Sequence, residues 1–320
     1  MGTKTFLADS RSGKPPVALI AGPTASGKSD LAVKLALTLH QRGQQAVVIN
    51  ADSAQVYADL AVLSARPAKT DVLEVPHMLF GEWDGAQACS AADWADTARQ
   101  VIAEVHAAEA VPILVGGTGL YLRTLLDGIA PVPPIEPEIR TEVRAMPVAQ
   151  AHAELALADP LRAARLAPND SARVARALEV VRSTGKPLAY WQTRHEGGIG
   201  DQITLHPLIL LPDRDWLYAR CDRRFSLMIQ HGAVQEVEAL LARGLDPDLP
   251  VMRAIGVPEL AGYLRGEWSL AEAEANAQQA TRNYAKRQFT WFRRQPPSEW
   301  ARTESINVAL EDHFASLLRD

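Results

Sequence analysis

Three features of the sequence predict an α/β chain with a parallel-sheet core, a helical insertion and a helical C-terminal part. Short apolar runs alternate with helical patterns, and a Gly22-Pro-Thr-Ala-Ser-Gly-Lys-Ser29 turn separates the first run from the first helix. Strand-forming patterns then vanish between 131 and 200, where helix formers take over. Taken in order, Pro16–Ala21 is a continuous apolar run bounded by Pro and Gly, which suits a strand buried on both faces. Leu31, Leu35 and Leu39 keep helical spacing up to Gly43. Gln45–Asn50 reads as a second strand, delivering Asp52 and Ser53 to its C-terminal end and placing Asp52 on the strand next to the glycine-rich turn. Ser90 and Asp93 have the spacing of a capping box for a helix to about Glu109, and Val111–Val115 makes a third strand ending in Gly116-Gly-Thr-Gly119.

The pattern breaks at the proline-rich stretch 131–137 and resumes after Gly197-Gly-Ile-Gly200, with a strand at His206–Leu211 rejoining the sheet. One helix is expected over Asp222–Arg243, with Phe225, Met228, Ile229, Val234, Val237 and Leu241 on a common face. A longer one runs from the Ser269/Glu272 box to about Arg294, ahead of Pro296-Pro297. The domain reading is a flexible leader over 1–14, a core over 15–130 and 201–300, an insertion over 131–200 and a C-terminal tail over 301–320.

Composition excludes several classes. Of 320 residues 47% are hydrophobic and 22% charged, so a disordered or low-complexity chain is ruled out. The longest aliphatic stretches, Val17–Ala21 and Leu208–Leu211, fall far below the roughly 20 residues of a membrane span. Two cysteines, Cys89 and Cys221, without a CxxC pair or a signal-peptide core, set the expectation of a reducing, cytoplasmic compartment and no membrane partner. The formal charge is −5, but it is unevenly spread. Arg162–Lys186 holds six basic residues against two acidic ones, and Ala275–Ser298 holds five with no acid, so the remainder carries −14. Two basic islands on an acidic protein suit a polyanionic partner, although solvated helix faces produce such clusters too.

Residues Gly22, Pro23, Thr24, Ala25, Ser26, Gly27, Lys28 and Ser29 form a complete P-loop in strand–loop–helix context, which makes the core P-loop NTPase-like. Its glycines let backbone N–H groups turn toward an anion, Lys28 adds a charge, and the Ser29 hydroxyl can ligate Mg²⁺. This names a diphosphate and not a reaction. No Asn-Lys-x-Asp segment for guanine reading occurs, and the apolar strand nearest in kind to an ATPase signature ends in Asp-Ser. A transferase acting on a small diphosphate or triphosphate remains, with Asp52 placed to hold Mg²⁺ through water or to accept a proton.

Seven segments, in order and spread from about Pro16 to Arg294, resemble one family. They are Gly22–Ser29, Asp52-Ser-Ala-Gln-Val-Tyr57, Val75-Pro-His77, Gly116-Gly-Thr-Gly-Leu-Tyr-Leu122, Asn169-Asp-x-x-Arg-Val-x-Arg-Ala-Leu-Glu179, Thr184-Gly-Lys-Pro187 and Ala285-Lys-Arg-Gln-Phe-Thr-Trp-Phe-Arg293. The family is that of the tRNA dimethylallyltransferases, or tRNA isopentenyltransferases. The resemblance implies a monomer that moves a five-carbon prenyl group from dimethylallyl diphosphate to the exocyclic amine of the adenine beside the tRNA anticodon, with Mg²⁺. It implies Asp52 as the proton acceptor, Thr118 near the bridging oxygen and Arg224 as second cation on the diphosphate. It implies tRNA contacts from Asp52, Ser53, Ala54 and Gln55, from Arg140, from Ala172, Arg173, Val174, Ala175 and Arg176, and from Arg253, Ala254, Ile255, Gly256, Val257 and Pro258. A hinged insertion would clamp the stem while the target adenine leaves its stack.

The aromatic residues Tyr284, Phe289, Trp291 and Phe292 are read as core packing and the arginines as RNA contacts. Departures from the family pattern are Leu63-Ser-Ala-Arg-Pro67 in place of Gly-Thr-Ala-Lys-Pro, Gly256-Val-Pro258 in place of Gly-Tyr-Arg, and Ala167 in place of a His. None touches Lys28, Asp52, Thr118 or Arg224. Two rival readings stand beside this one: an ATP-using small-molecule kinase with Asp52 as base, and a non-catalytic tRNA-binding module.

Overall fold

A computed structural model of the chain describes residues 13–67 and 75–318, so the leader read over 1–14 lies almost wholly outside the described residues. In chain order the elements are β1 (Pro16–Ala21), α1 (Lys28–Gln41), β2 (Ala46–Asn50), β3 (His77–Met78), α2 (Ala91–Ala107), β4 (Val111–Gly116) and α3 (Gly119–Asp127). Next come α4 (Pro137–Ala145), α5 (Val148–Ala158), α6 (Pro160–Ala163), α7 (Ser171–Thr184) and α8 (Leu188–Trp191). The chain ends with β5 (Thr204–Leu210), α9 (Arg214–Gln230), α10 (Ala233–Ala242), α11 (Val257–Leu264), α12 (Leu270–Arg294), β6 (Ala301–Thr303) and α13 (Leu310–Phe314). Two compact units result, one from the residues up to Leu125 together with those from Ile199 onward, the other Leu126–Gly198.

The first unit is built on a six-stranded sheet in the order β3-β2-β4-β1-β5-β6, with every pairing parallel. The apolar run of β1 occupies the middle, and Val17–Ala21 are fully buried because helices cover such a sheet on both faces. Leu31, Leu35 and Leu39 of α1 pack on it. A parallel sheet sends all its strand ends to one edge, and there the chain leaves β1, β2 and β4 in three loops that carry chemistry. The strand order corrects one expectation. Asp52 follows β2, which is separated from β1 by β4, so the loop carrying Thr118 stands between Asp52 and the P-loop.

Two further differences have local causes. The helix expected over 222–243 is two helices, α9 and α10, because Gly232 adopts φ +100° between them. Its apolar spacing carries on across the break, which is why periodicity alone merges them. Residues read as a tail beyond 300 supply β6, which pairs with β5, and α13, whose Phe314 is fully buried against the β1/α1 core. A three-residue edge strand carries no alternation to detect.

The second unit has helices and no strand among its described residues. Val143, Leu155, Val174, Ala177 and Leu178 form its core. Asp170 caps α7 by accepting from the Arg173 N–H at 3.2 Å, and Gly185, left-handed at φ +65°, ends it. Glu179 on α7 is buried, 2% of its side chain remaining exposed, and it accepts from Arg144 Nε of α4 at 2.9 Å.

Candidate active site

Three loops at the sheet edge set most of the functional side chains, and α9 and α12 supply Arg224 and Tyr284. The P-loop turns sharply after β1: a Cβ on Gly22 would stand 2.5 Å from Leu210 O, and Gly27 is left-handed at φ +89° where it caps α1. The Ser26 hydroxyl is buried with no hydrogen-bond partner. Lys28 Nζ donates to Pro23 O at 3.1 Å, inside the loop. Burial lowers Lys28 to about 8, the Asp52 charge opposing that shift and the Arg224 charge adding to it. Arg224 reaches from α9 to hydrogen-bond Thr24 Oγ1. Burial also lowers its guanidinium. Neither cation has an ion-pair partner among the described residues.

The loop after β2 is fastened by Asn50. Its Oδ1 accepts from the Asp52 N–H at 2.8 Å, and its Nδ2 donates to Asp52 O and Leu79 O, each at 3.0 Å. Asp52 Oδ1 accepts from the Ala54 N–H at 3.0 Å, an Asx turn that fixes the carboxylate. After β4, Gly116 has to be glycine, since a Cβ would meet Ala51 O at 2.1 Å. That close approach lets Thr118 Oγ1 accept from the Ser53 N–H at 2.9 Å and donate to Ser53 Oγ at 3.2 Å. Tyr284 of α12 adjoins the Thr118 and Ser53 hydroxyls, and burial, with the Asp52 charge behind it, pushes its phenol above the ordinary range.

Two adjoining cavities open here. One, of about 200 Å³, is lined by Thr24–Asp30, Asp52, Gln55, Arg220 and Arg224. The other, of about 290 Å³, is lined by apolar Leu60, Leu63, Phe225, Met228 and Ile255, with Tyr284, Arg253 and Arg287 among the polar walls. Thr24, Asp52, Ser64 and Arg224 belong to both linings, so a cationic chamber joins one of mixed lining with an apolar wall across Asp52 and Arg224. The 61–64 wall of the second chamber is held by Glu236 of α10, which accepts from the N–H groups of Ala61, Val62 and Leu63 at 2.6–2.9 Å.

A family model described as IPP transferase matches residues 55–295. The chain belongs to the IPP transferase family. It is 65% identical to a tRNA dimethylallyltransferase of Erythrobacter litoralis over 96% of both chains, and 50% identical to one of Zymomonas mobilis over 94% of this chain and 96% of that one. Among solved structures it resembles the tRNA isopentenylpyrophosphate transferase of Bacillus halodurans, at 32% identity, a TM-score of 0.66 and 95% of each chain. It also resembles a eukaryotic dimethylallyltransferase described as acting on tRNA, at 27% identity, a TM-score of 0.74, 87% of this chain and 70% of that one.

Within this IPP transferase the residues expected from sequence divide into groups. Thr24–Ser29 of the P-loop, Asp52, Ser53, Ala54, Gln55 and Arg224 line the joined cavities, as do Arg253, Ala254 and Ile255, while Gly22 and Pro23 do not and Thr118 touches Ser53 behind them. Gln55 commits its amide to Ser64 O and Ala65 O, each at 3.0 Å, and so acts on the cavity wall. Gly256 and Val257 are buried, and Pro258, the second residue of α11, is exposed. Arg140, Ala172, Arg173 and Arg176 lie exposed on the second unit, whereas Val174 is fully buried in that unit's core and turns its side chain away from any partner. Tyr284 corrects the reading of the α12 aromatics: Phe292 is fully buried and Phe289 packs on Cys221 and Ala285, but Tyr284 lines the second chamber. Phe225, Met228 and Tyr284 were legible only as helix-face or core residues, since nothing in one sequence marks which buried side chains border a cavity.

Proposed function

We propose that this enzyme transfers a dimethylallyl group from dimethylallyl diphosphate to the N6 amine of the adenine 3′-adjacent to the anticodon of a tRNA, releasing diphosphate. The observation that carries this reading is the pairing of chambers: a P-loop cavity for a diphosphate opens, across Asp52 and Arg224, onto a cavity with one apolar wall, Leu60, Leu63, Phe225, Met228 and Ile255, suited to a short hydrocarbon. A kinase acceptor site has no need of that apolar wall. The names of the relatives, tRNA dimethylallyltransferases at up to 65% identity over nearly the whole chain, support the same substrates.

The adenine amine is a weak nucleophile because its lone pair is delocalised into the ring. As its nitrogen bonds to the allylic carbon, the carbon–oxygen bond to diphosphate breaks, and the amine proton passes to the Asp52 carboxylate, held in place by its Asx turn. Lys28 and Arg224 face the charge that grows on the departing diphosphate, in a pocket dry enough to lower both their pKa values, where such interactions act strongly. Tyr284 lines the second cavity together with Asp52, and Thr118 holds Ser53 from behind it. The donor set fits Mg²⁺ in the manner of phosphate-bound magnesium: Ser29 and Asp52 line the cationic chamber, and no group of three His, Cys, Asp or Glu surrounds a point among the described residues. Ser29 would hold the ion, which when bound neutralises charge on the leaving group. Buried free thiols at Cys89 and Cys221 fit a cytoplasmic setting, and no helix among the described residues is long and apolar enough to cross a membrane.

Protein incubated with Mg²⁺, unmodified tRNA and either γ-labelled ATP or prenyl-labelled dimethylallyl diphosphate tests the reading. Prenyl label should move to tRNA. Phosphoryl transfer without prenyl transfer would overturn it in favour of a kinase. Asp52→Ala should keep tRNA binding and lose turnover by about two to four orders of magnitude; unchanged turnover would remove the proton-acceptor role.

A further inference from the structure

Gln288 lines neither cavity, yet it joins the two loops that define the reaction axis. It is 5% exposed, on the inward face of α12. Its Oε1 accepts from the Thr24 N–H of the P-loop at 2.8 Å, and its Nε2 donates to Gly117 O of the loop after β4 at 2.9 Å. Only one orientation of the amide satisfies both partners, because the P-loop presents a donor and the β4 loop an acceptor. The fit is close on the glycine side as well: a Cβ on Gly117 would meet Gln288 Nε2 at 2.3 Å and Gly22 O at 3.1 Å.

What the amide holds continues outward on each side. Thr24 receives Arg224 on its hydroxyl, and Gly117 is followed by Thr118, which fastens Ser53 beside Asp52. We propose that Gln288 is a positioning residue: its side-chain amide sets the separation between the diphosphate-holding P-loop and the Thr118–Ser53–Asp52 group that meets the incoming amine. This rests on the prenyl-transfer reading for its kinetic consequence, but its effect on diphosphate binding does not. Gln288 acts through Thr24 and Gly117 and touches no substrate.

The test uses Gln288→Met and Gln288→Glu in the full chain. Met matches the volume and leaves the Thr24 N–H and Gly117 O unpaired, so affinity for inorganic pyrophosphate, read by calorimetry, should fall about tenfold and kcat about a hundredfold. The KM for tRNA should stay within about twofold. Glu supplies a readout that a packing role would not move. When ionised it faces Gly117 O with an acceptor, and when protonated it restores one acceptor and one donor in the amide's pattern. The kcat of Gln288→Glu relative to wild type should therefore rise about tenfold as pH falls from 8 to 6. Relative pyrophosphate affinity should rise with it.

A Met variant within twofold of wild type in both measurements, or a Glu/wild-type ratio that is flat with pH, overturns the proposal. Should Gln288→Met fail to fold, the pH ratio of Gln288→Glu alone decides. If wild type moves no prenyl group while pyrophosphate affinity follows the predicted pattern in the variants, the positioning role stands and the reaction assignment falls.

Discussion

The two units handle their positive charge in opposite ways. In the sheet unit, Lys28 and Arg224 are partly buried, bond only to a carbonyl and a hydroxyl, and have pKa values lowered by burial. In the helical unit several arginines lean on a carboxylate: Arg173 on Asp170 at 2.7 Å, Arg144 on Glu179, and Arg182 on both Glu142 and Glu154. A cation left without a counter-charge in a dry pocket destabilises the fold and is held ready for an anionic ligand. A cation paired at the surface is nearly neutral energetically, and its partner decides how much of its charge a ligand can use.

The largest effect that sharpens this contrast is on Lys28. Lys28→Met should lower prenyl transfer by about three orders of magnitude, as loss of a charge that meets the leaving group does. The same substitution should raise the melting temperature of the ligand-free protein at pH 7. The sign follows from linkage. The folded value of about 8 lies below the ordinary lysine value of 10.5, so below pH 8 the charged, desolvated lysine destabilises the fold in full. Between pH 8 and 10.5 the unfolded chain binds more protons, and wild-type stability gains with rising pH. The advantage of the Met variant should shrink across that window. A variant less stable than wild type at pH 7 would mean that the lysine is solvated, and the contrast between the units would be lost.

Glu179 offers the next effect. It is the buried carboxylate between Arg144 at 2.9 Å and Arg176 at 3.9 Å, and the charges of Arg140 and Arg144 help burial to lower the Arg176 guanidinium. Glu179→Gln removes the one negative charge from that cluster and should destabilise the protein by about 1–3 kcal/mol in denaturant melts. An unchanged midpoint would show that the arginines hold their places without it.

The contrast also marks what was legible in the sequence. Strands with continuous apolar runs, such as Pro16–Ala21, and helices with capping boxes, such as the one starting after Ser269, were readable because period and cap chemistry are local. The P-loop and Asp52 were legible as a glycine spacing and a strand-end carboxylate. The order of strands was not, because β4 comes between β1 and β2 only through long-range pairing. Nor was the split of charge: Arg162–Lys186 reads as an excess of four positive charges, yet Arg182 is held by Glu142 and Glu154 from outside that stretch, and Arg282 of the second island by Asp222 of α9. Gln288 shows the same limit, since its two partners are 264 and 171 residues away.

The smallest effect is the one that separates arginines within a single island. If Arg173 and Arg176, exposed on α7, meet phosphates of the tRNA, then Arg173→Glu or Arg176→Glu should weaken tRNA binding and flatten its dependence on salt. The slope of log K against log salt should drop by about 0.7–0.9 per lost contact, because each neutralised phosphate releases its condensed counterion. Arg182→Glu is the control that the ion pairs supply. Its guanidinium is occupied by two carboxylates, against one for Arg173 and a looser 3.9 Å contact for Arg176, so its substitution should lower stability while leaving the slope as in wild type. Equal slopes for Arg176→Glu and Arg182→Glu would show that pairing with carboxylates does not decide which arginines of α7 meet the RNA.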